Sequence, residues 1–171
     1  MRKQLAMIWV ILLLFLPVQA LKTNSQGAKD EHHGMENRGD QAMGFSHEKS
    51  THHFRLYKDG GAIEVAANDA NDTDSQNMIR MHLSHIAEMF AQGNFEVPMF
   101  IHDTTPPGVP VMKELREQIS YQYKETEGGG RIRIRTTNPK ALAAVHDFLR
   151  FQIAEHKTGD TAEIREENKA K

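Results

Sequence analysis

The chain has 171 residues, 39% hydrophobic and 26% charged, with no Cys, which fits one globular domain plus appendages and excludes collagen, coiled-coil and multi-pass membrane classes. Its 21 basic residues stand against 23 acidic ones for a formal charge of −2, and the bases are scattered, so no electrostatic footprint for nucleic acid is present. Ten His and nine Met in so short a chain are the compositional oddity and the one route toward chemistry.

Residues 1–20 divide into a basic start (Arg2, Lys3), an apolar run from Leu5 to Leu16, a helix-breaking Pro17, and Val18-Gln19-Ala20. This pattern predicts a secretory signal peptide cleaved after Ala20, since a membrane span needs about 20 apolar residues and this run is a dozen. The expected location is therefore periplasmic or secreted, with no membrane attachment after cleavage. Without Cys there is neither a disulfide framework nor an acylation site, so stability must come from the core.

Residues 21–51 are rich in Gly, Asn, Asp, Glu, Lys and Ser and nearly free of aliphatic side chains, which predicts a disordered arm. It carries His32-His33-Gly34-Met35, His47 and, at its boundary, His52-His53. These residues suit weak metal capture or are incidental to a solvated linker. A folded domain is expected over 52–160 and a charged, frayed tail over 161–171.

Within the domain, Phe54–Tyr57 and Ala62–Ala66 flank an Asp59-Gly60 turn, a β-hairpin signal. Asn68 to Asp74 supplies helix caps, and Ser75 to about Gln92 carries apolar residues at helical spacing, closed by Gly93-Asn94. Thr104 to Pro110 is a loop, and Val111 to about Ile119 reads as a short helix. A second hairpin follows, from Tyr121–Lys124 through Gly128-Gly129-Gly130 into Arg131–Arg135, where charge and isoleucine alternate strictly. Asn138-Pro139 then opens a helix to about His156. The fold class this order predicts is α+β: two hairpin-plus-helix units forming a four-stranded antiparallel sheet with the helices on one side.

On the first long helix Ile79, Leu83, Ile86 and Phe90 form the core face, and Met78, His82, His85 and Met89 form a second stripe. Two His three residues apart point the same way and can share an ion, and flanking thioethers bias such a site toward copper over zinc. A wide helix face with Met as gap filler is the structural alternative. His146 projects into the apolar face of the last helix (Leu142, Leu149, Ile153), where a buried ring needs hydrogen-bond partners or a metal. His102 in Phe100-Ile101-His102-Asp103 is a further candidate. His156 sits in a last helical turn, where a dipole effect accounts for it.

No nucleophile elbow, Walker loop, dinucleotide fingerprint or zincin motif occurs. Asp69, Asn71 and Thr73 lack the glycine and terminal glutamate of a calcium loop and read as capping.

The segments His82-Leu83-Ser84-His85-Ile86-Ala87, Phe100-Ile101-His102-Asp103, Pro106-Pro107-Gly108-Val109, Gly129-Gly130-Arg131-Ile132, Ala143-Ala144-Val145-His146 and Phe148-Leu149-Arg150-Phe151-Gln152 through His156-Lys157-Thr158-Gly159-Asp160 resemble a family of small exported bacterial proteins. The resemblance covers about 52 to 160. Some of its members carry the label aspartate carbamoyltransferase. It implies that His82, His85, His102, His146 and His156 belong to one site. The Ser-Thr-Arg-Thr and His-Pro-x-x-Gln motifs of carbamoyltransferases are missing from this chain, so the residues give that label no support.

The expectation is thus an exported protein that holds a transition metal, copper before zinc, through His82, His85, His102 and His146. Its partners are then the ion and, as an open alternative, another exported protein. Two other classes stay open: a peptide or protein interaction module with structural His, and a small transferase or hydrolase using a His as general base.

Overall fold

The computed structural model describes residues 25–167, with side chains from Gly34 onward. The expected signal peptide at 1–20 lies outside the described residues. No helix among the described residues is long and apolar enough to cross a membrane.

The elements run α1 (Ser25–Met43), β1 (Ser50–Tyr57), β2 (Gly60–Ala67), α2 (Thr73–Ala91), α3 (Glu96–His102), α4 (Val109–Glu114), β3 (Ile119–Thr126), β4 (Gly129–Thr136), α5 (Pro139–His156) and β5 (Ile164–Arg165). The protein is α+β with an open, mixed, five-stranded sheet ordered β3-β4-β2-β1-β5. Strands β3, β4, β2 and β1 pair antiparallel, and the expected four-stranded sheet is corrected by β5, which joins parallel to β1.

Alternation along the strands decides the two faces. Phe54 and Leu56 on β1, Ile63 and Val65 on β2, and Ile132 and Ile134 on β4 share one face, and α2 and α5 pack across it to make the core. Two glycines on that face let the helices come close. A Cβ at Gly61 would sit 2.2 Å from Leu149 of α5, and one at Gly130 would sit 3.1 Å from Leu83 of α2. Both long helices start where the caps predict: Asp72 accepts a bond from the Ser75 amide at 3.0 Å, and Asn138 accepts from Lys140 and Ala141 at 2.8 and 3.1 Å.

The structure corrects the reading of the arm. Residues 25–43 form a helix that docks on α3 and α2, burying Met35 and Gly39 with Met43 partly covered beside them. Two methionines and a glycine spaced four apart make a stripe one helix face wide, enough to dock yet invisible to an aliphatic count. Arg38 fastens it, donating from Nε to the Ile101 carbonyl at 2.9 Å. The tail is corrected as well: 158–167 straps the outer edge of β1, where Asp160 accepts the Phe54 amide at 3.0 Å. The short helix expected over 111–119 begins earlier and is shorter, because Ile119 already belongs to β3.

Candidate functional site

Between α1, α2, α3, α5 and the inner face of β1 lies a cavity of about 70 Å³, lined by apolar side chains and by four imidazoles, those of His52, His82, His102 and His156. Each ring comes from a different element. His52 precedes Phe54 by two residues on β1 and so shares its inward direction. His82 comes from the flank of α2, His102 from the last turn of α3, and His156 from the last turn of α5. The Met43 thioether at the end of α1 completes one wall, and a larger cleft of about 220 Å³ adjoins through His52, His156, Met43 and Ile101.

Three of the rings form a cluster. His52 stacks on His156 at 5.6 Å between centroids and 17° between planes, and His102 meets His156 edge-on at 5.1 Å and 86°. His82 lies against Phe45, 5.8 Å away. Burial dominates their protonation. It pushes His52 down to about 4, with the neighbouring rings of His82, His53 and His47 adding to the effect. It likewise pushes His82 down to about 4, helped by His85. His102 is lowered by burial although Gln152 and Glu155 oppose the shift. These rings therefore stand neutral at pH 7, each with an imine nitrogen lone pair.

Gln152, itself 4% exposed on α5, lies 3.1 Å from His102 Nε2 through its Oε1. An amide oxygen only accepts, so Nε2 carries the proton and His102 Nδ1 is the imine nitrogen. That Nδ1 is buried without a hydrogen-bond partner, as is Gln152 Nε2. Two orphaned polar atoms beside an apolar cavity need a partner, which a water, an ion or a ligand can supply.

Of the four expected ligands the structure brings two, His82 and His102, to this cavity. His146 is a correction. Its buried Nε2 donates to the carbonyls of Tyr57 and Gly60 at 2.9 and 3.0 Å, tying α5 to the β1–β2 turn. A ring whose donor is already shared by two carbonyls satisfies the burial requirement without metal. His85 is the second correction: three residues beyond His82, it stands exposed on α2 and lines no part of the cavity. In their place stand His52, which the sequence groups with the arm, and His156, which its helix position explains by the dipole and the family resemblance groups with the other His. The period-two alternation His52, Phe54, Leu56 was the signal for the first. Among the described residues no group of three or more His, Asp or Glu side chains already converges as a set able to hold a metal ion.

Neither protein-family models, nor characterised proteins, nor solved structures match the chain.

Proposed function

We propose that this chain is an exported binding protein for a transition-metal ion, copper(I) before zinc, taken into the cavity by His52, His82 and His102 with His156 beside them. The observation that supports the reading is that four imidazoles from four elements, with at least three held neutral by burial, border one apolar cavity alongside a thioether. Only neutral imidazole ligates metal, and imidazole with thioether favours copper(I) among available ions. Two imidazoles on one ion at about 2 Å hold their centroids roughly 5–6 Å apart, close to the spacing of His156 from His52 and from His102. Ring rotation about χ1 and χ2 is the adjustment that binding requires. Gln152 fixes the His102 tautomer, the part an outer hydrogen-bond partner plays for a ligating imidazole.

The test is a copper(I) competition with bicinchoninate, and a parallel zinc titration, on untagged chain lacking residues 1–20. One ion per chain is expected, with affinity falling about 100-fold or more in His52→Ala/His102→Ala and staying unchanged in His47→Ala/His85→Ala. Proton competition is expected to set in near pH 4, following the lowered rings, whereas exposed His would begin to lose the ion near 6.5. Absence of a bound ion, or equal losses in the two double variants, overturns the reading.

A further inference from the structure

The opposite face of the sheet carries a second site. Arg131, Arg133 and Arg135 follow one another at every second residue of β4 and all point away from the core. Their guanidinium groups converge on one carboxylate, that of Glu167 in the chain's own tail. Arg131 Nη2 donates to it at 2.8 Å, Arg133 Nε at 3.0 Å and Arg135 Nη2 at 3.3 Å. The seat is built rather than incidental. The Arg133 side chain is only 6% exposed, donates to the Gly61 carbonyl at 3.1 Å, and lies over the Tyr57 ring at 4.8 Å. The preceding residue, Glu166, pairs with Lys58, and the segment enters through β5, whose Ile164 and Arg165 pair in parallel with Leu56 and Tyr57. An extended segment with two consecutive acidic residues is thus read by backbone pairing at one end and by two basic seats at the other.

We propose that this edge and face form a docking site for an extended acidic segment of a partner protein, and that the chain's own tail is its internal, displaceable occupant. The charges support displacement. With residues 161–167 withdrawn, Arg55, Arg131, Arg133, Arg135 and Lys58 face, among the described residues, Asp59, Glu64 and Asp160, an excess of two positive charges waiting for an acidic replacement. Asp59 and Glu64 still partner the arginines, so leaving does not strand a buried cation. Beyond Asp160, the tail's ladder with β1 is two positions long. As an intramolecular competitor it lowers the apparent affinity for any outside segment by the fraction of time it occupies the seat.

The test uses the full chain and a fluorescein-labelled peptide, Ala-Glu-Ile-Arg-Glu-Glu, against its counterpart with Gln for each Glu, read by fluorescence polarisation. Glu167→Gln weakens the tail's hold on the seat and is expected to bind the acidic peptide about three- to five-fold more tightly than the unsubstituted chain does. The Gln peptide is expected to bind neither. Adding Arg131→Gln and Arg135→Gln to the Glu167→Gln chain is expected to abolish binding. Both arginines are partly exposed, and Arg135→Gln alone serves if the triple variant melts early. The proposal fails if Glu167→Gln binds no acidic peptide, if both peptides bind equally, or if the arginine changes leave binding intact. A dimer of the unsubstituted chain by light scattering, lost on Glu167→Gln, also overturns it, by giving the face to a second copy.

Discussion

Ile132 and Arg133 are adjacent on β4, yet one is sealed under two helices and the other is clasped by carboxylates on the open side. The same strands thus build two environments one residue out of phase. On the helix side burial keeps imidazoles neutral, and the cavity there offers lone pairs. On the open side the polar groups are ionised and paired: Asp59 and Glu167 are held below their ordinary range, because the hydrogen bonds and charges of Arg133 and its neighbours outweigh the burial that opposes them. The metal proposed above would belong to the first environment, and a carboxylate belongs to the second. The difference teaches that neither composition nor residue type assigns the chemistry, since strand phase does.

Four measurements test this comparison by size and by condition. The largest effect belongs to the core. Phe148, 1% exposed, stacks edge-on to Phe90 and Phe95 at 5.9 and 6.1 Å and borders the cavity. Phe148→Ala is expected to lower the unfolding free energy by about 3–5 kcal/mol in urea titrations at pH 7. A loss no greater than that of an open-face substitution breaks the comparison.

Acid distinguishes the faces next. Between pH 6.5 and 4 the unfolded chain protonates His52 and His82 while the folded chain does not, so the unfolded state binds more protons and stability falls as pH falls. Both rings border the cavity and are only partly exposed, so about 3 kcal/mol for the pair is expected over that window. Carboxylates behave oppositely in position. Asp59, Asp160 and Glu167 have lowered values, so their contribution stands above pH 4 and is lost only as pH drops further, through their folded-state values. Urea titrations at pH 7, 6, 5 and 4 check this. A flat profile down to pH 4.5 followed by a sharp fall would assign acid sensitivity to the open face instead.

Much of the fold was legible because local chemistry and tertiary structure agree in the two hairpins and the two long helices. The Asp59-Gly60 and glycine-rich turns, the Asp72 and Asn138 caps, and the alternation in Arg131–Arg135 each place the turn or cap end of their element within about a residue or two. Helix α1 was illegible because its buried stripe is made of Met35, Gly39 and Met43, and β5 because a two-residue strand is made by the free edge of β1 rather than by its own sequence. The site was half legible. His82 and His102 follow from residue type and helix position. His52 depends on β1 starting four residues before the apolar run that announces it, and His146 was misassigned because the carbonyls of Tyr57 and Gly60 that satisfy it lie nearly ninety residues earlier in sequence.

His146 also gives the next effect in size, and one that separates structural from ligand-bearing imidazoles. His146→Leu keeps the apolar packing of α5 but leaves the shared carbonyls of Tyr57 and Gly60 without their donor, for an expected loss of about 1–3 kcal/mol. Copper(I) affinity is expected to stay unchanged as long as the chain is folded. A variant of full stability that loses the ion would move His146 back into the site and remove the distinction drawn between it and His102.

The smallest effect is on the open face. Glu167→Gln removes a carboxylate that three arginines share, yet Asp59 and Glu64 remain beside them and the tail is partly exposed. Less than about 1 kcal/mol of stability is expected to go with it. That difference is expected to shrink further in about 1 M salt, where the Debye length is roughly 3 Å and exposed pairs are screened. A loss of several kcal/mol that salt does not touch would mean that Glu167 is a fixed buttress of the sheet. In that case the two faces would differ in polarity but not in rigidity, and the tail could not yield its place to another segment.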